Sequence, residues 1–246
     1  MERSPIDVDV ARAQHQAYEQ SLEALGCTVR RLPTADALPD AVFIEDTAVV
    51  LDEVAVLTRP GAESRRAEVE TAAEELSQWR TLASIDSPGT LDGGDVLRVG
   101  MTLYVGQTGR TNRAGIEALA RIADPLGYRV VPVRVRGCLH LKSAASWIGG
   151  DRVLACRAKL DIDAFEGLQV IPAPEDEAAA ANVLVLDNKA MVGAGFPRTR
   201  QLLEDAGLHC VTVDNSELAK AEGGLTCCSL IFDDSLDRRH GADVQP

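Results

Sequence analysis

Short apolar runs alternate with longer amphipathic stretches along this chain, and the alternation keeps a fixed order. Residues 42–51 and 54–58 are rich in β-branched side chains and are separated by a short acidic turn, which predicts a hairpin. Residues 64–79 then set apolar side chains at helical spacing between charges, and 81–85 returns to a short strand. The same order recurs as strands 95–99 and 102–106, helix 111–126 and strand 129–135. Two further hairpins follow, 143–148 with 152–156 and 183–187 with 190–194, the second leading into a helix at 197–206. A helix at 8–25 precedes them all. The unit is strand, strand, helix, strand.

Such self-similarity predicts a repeat architecture. A polar residue stands at the mouth of each unit's first strand: Asp46, Asp92, His140, Asn182 and Cys227, at steps of 46, 48, 42 and 45 residues. Near-equal steps imply five copies, and equivalent positions in a ring of five face one axis. Two carboxylates, an imidazole and a thiol would then meet. Arg65 and Arg110, 45 residues apart, are equivalent to each other in the repeat. The plain alternative is a structural repeat with no shared site. The residue types weigh against it, because Cys, His and two Asp make a catalytic inventory.

Composition narrows the partners. With 46% hydrophobic and 26% charged residues the chain can bury a core, and its net charge of −13 argues against nucleic acid or an anionic membrane. The six cysteines (27, 138, 156, 210, 227 and 228) have no CxxC spacing, and neither an export signal nor an apolar run of membrane length is present. These features predict a cytoplasmic protein with reduced thiols. No P-loop, GxGxxG after a strand, or HExxH occurs, so no cofactor and no metal are expected. The polar stretch 233–246 reads as a tail on a single domain spanning 1–246.

The motifs FIEDTAVV (43–50), RPGAESRR (59–66), TLDGGDV (90–96), GQTGRTN (106–112), HLKS (140–143) and GGLTCCSLIF (223–232) together resemble the dimethylarginine dimethylaminohydrolase family. That resemblance runs from about Asp7 to Phe232. It implies the pentein fold, a five-bladed α/β propeller of ββαβ repeats, and hydrolysis of asymmetric dimethyl- or monomethyl-L-arginine to L-citrulline and a methylamine. The family places a further strand and a lid-bearing loop ahead of the first helix. Here the first repeat is expected to be incomplete, leaving 229–232 as an unpaired edge.

A guanidinium carbon is a poor electrophile, so it must be fixed in place and its leaving amine protonated. The resemblance implies Cys227 as nucleophile and His140 as acid–base, with Glu45 orienting His140. Asp46 and Asp92 are expected to accept from the guanidinium nitrogens, because a planar fork of donors matches carboxylates. Arg65 and Arg110 are expected to clamp the substrate α-carboxylate, and Asp40 to meet its α-amino group. Cys228, next to Cys227 on an expected strand, would point to the opposite face and pack. Two other readings stay open: arginine deiminase-type chemistry on unmethylated arginine, and an arginine-binding protein without turnover. The sequence sets no oligomeric state, and a homodimer remains open.

Overall fold

The computed structural model describes residues 5–33 and 37–234. The expected tail, with His240, lies outside the described residues apart from Asp233 and Asp234. Helix α1 (Val8–Ala24) begins at Asp7, whose carboxylate accepts from the Asp9 and Val10 amides and satisfies two orphan donors of the first turn. Four three-stranded sheets follow, built from β1 (Ala48–Val50), β2 (Val54–Leu57) and β3 (Thr81–Ser84); β4 (Val96–Val99), β5 (Thr102–Gln107) and β6 (Arg129–Arg134); β7 (Ala145–Trp147), β8 (Arg152–Ala155) and β9 (Gln169–Pro172); and β10 (Leu184–Leu186), β11 (Lys189–Gly193) and β12 (His209–Val213). In each, the first two strands are antiparallel and the last two parallel.

Position in the sheet decides composition. The central strands are continuously apolar, and Val54–Val56, Leu103–Val105, Val153–Ala155 and Ala190–Val192 are all buried. A strand covered on both faces must be apolar at every position, not at alternate ones. The covering helices are α2 (Glu68–Leu76), α3 (Arg113–Ala123) and α4 (Pro197–Asp205). A short helix, α5 (Ser216–Ala219), packs against α1. The third sheet departs from the expected unit. Between β8 and β9 stands only a single 3-10 turn, Ile162–Phe165, which buries Phe165 where the other units place a helix. Thirteen residues, Cys156 to Leu168, make this connection, two fewer than the fifteen that carry α4 between β11 and β12.

The largest core cluster joins Leu97 and Tyr104 of the second sheet to the third and fourth sheets through Leu141, Ile148, Leu154 and Phe165. A second joins the first two sheets through Leu51, Val56, Leu91, Leu103 and Leu119. Residues 229–232 leave the turn through an extended Ser229 and, among the described residues, pair with no strand. Leu230 and Phe232 pack on the cluster of Ala48, Ala55, Ala72 and Leu76. No helix among the described residues is long and apolar enough to cross a membrane.

Candidate active site

Each strand pair is entered through a tight turn, and these turns carry the polar residues of the repeat. The sequence suggests strand from residue 42, but Ile44–Thr47 forms a 3-10 turn before β1. Gly93–Asp95 and Leu141–Ser143 do the same before β4 and β7, and Glu175–Ala181 ends at Asn182 before β10. Cys227 and Cys228 also lie in such a turn, Thr226–Cys228, and not on the strand expected for them. The Ile44–Thr47 turn packs on both the Gly93–Asp95 and Thr226–Cys228 turns, and the Gly93–Asp95 turn on Leu141–Ser143. Polar residues interrupt the apolar runs here because the turns converge on one another and need hydrogen-bonding side chains.

At the centre, His140 Nε2 lies 2.9 Å from Asp92 Oδ2 and 3.8 Å from Asp46 Oδ1, with all three residues buried. Asp46 Oδ1 accepts from the Gly94 amide at 2.9 Å, and Asp92 Oδ1 from the Gly61 amide at 2.8 Å. Arg110 Nη1, on a half-buried side chain, reaches Asp92 Oδ2 at 3.3 Å. Gly94 can be nothing larger. A Cβ there would stand 2.6 Å from Asp46 Oδ1 and 2.8 Å from His140 Nδ1. Asp95, the second acid of TLDGGDV, accepts from the Leu141 amide and from Thr108 Oγ1, so it ties the His140 turn to the loop before Arg110.

Burial opposes the imidazolium of His140, but the Asp92 hydrogen bond and the charges of Asp46, Asp95 and Asp92 outweigh it and raise its pKa to about 9. Burial also works against the Asp92 carboxylate, yet His140, the Gly61 amide and Arg110 together hold its pKa below the usual range. Asp95, more deeply enclosed, is pushed up to about 6 by burial. The Cys227 thiol is raised well above its ordinary value, first by burial and then by the negative fields of Glu45 and Asp46. At neutral pH these shifts favour a protonated imidazole at His140 and a neutral thiol at Cys227.

A stability consequence follows from the sign of the His140 shift. Its folded pKa exceeds the ordinary 6.5, so the proton's stabilising contribution is complete below about pH 6.5 and is lost as pH rises through 9. Thermal unfolding followed between pH 6 and pH 10 should show that decline in the native chain. In His140→Ala the decline across this window should be shallower.

Three expected roles change. The carboxylate in contact with His140 is Asp92 and not Glu45. Glu45 instead binds Lys142 Nζ at 2.6 Å and accepts from Thr226 Oγ1 at 2.9 Å. Successive side chains of a 3-10 turn point about 120° apart, so Glu45 and Asp46 serve different neighbours. Asp92 is correspondingly occupied by His140, Gly61 and Arg110. Arg65 and Arg110 are equivalent in the repeat but not in surroundings. Arg65 is 4% exposed, bonds Asp46 and Glu68, and donates to the carbonyls of Phe43 and Asp40. Arg110 is the more exposed of the two and keeps, among the described residues, a single carboxylate contact, to Asp92. Asp40 is exposed near Arg65 at the rim of the site.

Cys228 packs with Tyr18, Leu22 and Leu225 as a core thiol. Lys142, Thr226 and Asn182 lie close about the Thr226–Cys228 turn but received no role from the sequence, although HLKS, GGLTCC and the repeat position each pointed to one of them. Asp46, Asp92 and His140 present an atom each within 4.8 Å of one another, a spacing able to hold a metal ion. A metal there would have to displace the imidazole proton, which the neighbouring carboxylates favour by raising the His140 pKa to about 9.

A family model described as "N,N dimethylarginine dimethylhydrolase, eukaryotic" matches residues 3–231. The chain belongs to the dimethylarginine dimethylaminohydrolase family. An N(G),N(G)-dimethylarginine dimethylaminohydrolase of Streptomyces coelicolor is 43% identical over 94% of this chain and 89% of that relative. The structure of the Pseudomonas aeruginosa family member, a cysteine-to-serine variant complexed with citrulline, superposes with a TM-score of 0.90 at 33% identity, covering 94% of this chain and 92% of the other. Another family structure, a histidine-to-glycine variant as an adduct with S-methyl-L-thiocitrulline, has a TM-score of 0.90 at 32% identity, covering the same shares.

Proposed function

We propose that this chain hydrolyses Nω-methylated L-arginine to L-citrulline and a methylamine through a covalent intermediate on Cys227. The observation that carries the reading is the buried pairing of His140 with Asp92, beside a second carboxylate whose field also reaches the Cys227 thiol. Four sheets of one topology, and five turns that each bear a polar residue, support the five-bladed propeller with an incomplete first repeat. We read the chain as one catalytic domain in the cytoplasm, alone or as a homodimer, and as needing no cofactor.

The charges give the order of events. Asp46 and Glu45 raise the thiol pKa in the empty site. A bound guanidinium cancels that field, so the substrate itself favours the thiolate. Asp46 accepts from the guanidinium nitrogens and holds the carbon over sulfur, while Arg110 meets the α-carboxylate and Asp40 the α-amino group. Thiolate attack on the guanidinium carbon pushes electrons onto nitrogen. His140, protonated at neutral pH, gives its proton to the departing methylamine as the C–N bond breaks. An S-alkylthiouronium remains on Cys227. His140, now neutral, takes a proton from water as the oxygen attacks that carbon. The C–S bond then breaks to release citrulline and restore the thiol. Asp92 stabilises the imidazolium at both ends of this cycle.

Incubation with asymmetric dimethylarginine and, separately, with arginine, followed by a citrulline assay, tests the reading. Dimethylarginine should be turned over with the larger kcat/KM. Faster turnover of arginine would assign deiminase chemistry, and binding without citrulline release would assign a silent binding protein.

A further inference from the structure

Four of the five repeat positions take part in the chemistry above, and Asn182 does not. We propose that Asn182 is a positioning residue which, together with Thr226, clasps the nucleophile turn to the rest of the site. The proposal rests on the reading of Cys227 as nucleophile.

Asn182 is 6% exposed, and both ends of its amide are used. Nδ2 donates to the Lys142 carbonyl at 2.8 Å and to Thr226 Oγ1 at 3.0 Å, while Oδ1 accepts from the Thr226 amide at 3.2 Å. The backbone carbonyl can only accept and the backbone amide only donate, so the orientation of the amide is fixed. Aspartate at this position would face the Lys142 carbonyl acceptor to acceptor. Thr226 completes a circuit: its hydroxyl donates to Glu45 Oε2 at 2.9 Å, and Glu45 Oε1 meets Lys142 Nζ at 2.6 Å. Side chains or backbone from four separate turns are thereby joined at the residue preceding Cys227.

Two observations give the circuit a purpose. First, Asp46, Asp92 and His140 each stand shortly before a paired strand, which anchors the turn they occupy. Residues 229–232 after Cys227 pair with no strand among the described residues, so the nucleophile turn lacks that anchor. Second, the turn is fitted closely around Asn182. A Cβ on Gly224 would fall 2.4 Å from the Asn182 side chain, and the Gly224 amide itself lies 3.3 Å from Cys227 Sγ. Loosening the clasp therefore frees the thiol from its place over the substrate and from its burial.

Asn182→Ala, Thr226→Val and Thr226→Ser, each checked for folding by circular dichroism and thermal melting, test the clasp through two readouts. Turnover of dimethylarginine should fall about 10- to 100-fold in kcat for Asn182→Ala and Thr226→Val, with KM within about threefold of the native value. Alkylation of Cys227 by iodoacetamide, followed by peptide mass spectrometry, should become faster in the same two variants because the thiol is less shielded. Thr226→Ser keeps the hydroxyl and should match the native chain in both. Native kcat and alkylation rate in Asn182→Ala would overturn the proposal, as would a Thr226→Ser loss equal to that of Thr226→Val. Iodoacetamide does not depend on the proposed substrate. If the native chain releases no citrulline, the functional reading fails, and an unchanged alkylation rate in Asn182→Ala separately rejects the clasp.

Discussion

Cys227→Ser should lose at least about 10⁴-fold in kcat for citrulline formation, while Cys228→Ser keeps most of its turnover. The two thiols are neighbours in one 3-10 turn, so a general disturbance of the turn would injure both variants alike. Their surroundings differ. Both feel the negative charge of Glu45, but Cys227 also feels Asp46, at the convergence of the turns. Cys228 faces Tyr18, Leu22 and Leu225 in an apolar cluster. A serine hydroxyl at position 227 is a far weaker nucleophile than a thiolate and cannot be brought to its anion by guanidinium binding alone. Serine at 228 places a hydroxyl among apolar side chains, which costs stability before it costs chemistry. Steady-state citrulline assays on both variants settle the assignment, and equal losses would contradict it.

Arg65→Ala should unfold far more readily than the native chain, by about 3–5 kcal/mol. For a chain of this length that corresponds to a fall in Tm of roughly 6 to 20 °C. Arg65 is buried with Asp46 and Glu68, and burial alone would weaken its charge. Its bonds to Glu68 and Asp46 outweigh that and keep it ionised. Removing the guanidinium leaves two buried carboxylates facing each other across the gap. The Phe43 and Asp40 carbonyls lose a donor as well. A residue serving only as a substrate clamp would instead raise KM and leave the melting temperature unchanged. Thermal denaturation of the purified variant separates the two roles.

Much of this arrangement was legible in the sequence because the repeat is written in two ways at once. Apolar strands recur in a fixed order, and each unit begins with a polar residue where an apolar one would be expected. That second signal identified Asp46, Asp92, His140, Asn182 and Cys227 together. What could not be read was the direction of individual side chains. Glu45 and Asp46 are adjacent, and only the 3-10 geometry of their turn sends one to Lys142 and the other towards His140. Arg65 and Arg110 are matched by spacing, yet Glu68, three residues after Arg65, draws its guanidinium inward. No acid stands three residues after Arg110, where Arg113 occupies the equivalent position. The missing helix of the third unit was likewise hidden, since a count of strands does not reveal that the chain between β8 and β9 forms only a 3-10 turn.

In the proposed mechanism the resting site is protonated for its first proton transfer. The Asp92 hydrogen bond and the neighbouring carboxylates raise the His140 pKa to about 9, so the imidazole would carry the proton that the leaving amine needs. Cys227, by contrast, is held neutral until a cation arrives. On the proposed mechanism, carboxylates beside a half-buried sulfur would keep the thiol neutral in the absence of a cation and leave it responsive to a guanidinium.

Acid-quenching the enzyme during turnover of asymmetric dimethylarginine, then mapping its peptides by mass spectrometry, tests the covalent route most directly. An amidine-linked ornithine adduct should appear on the peptide containing Cys227 and be absent from every other cysteine. Its site within that peptide should be position 227 and not 228. Citrulline release with no adduct on Cys227 at any quench time, or an adduct on another cysteine, would contradict the account.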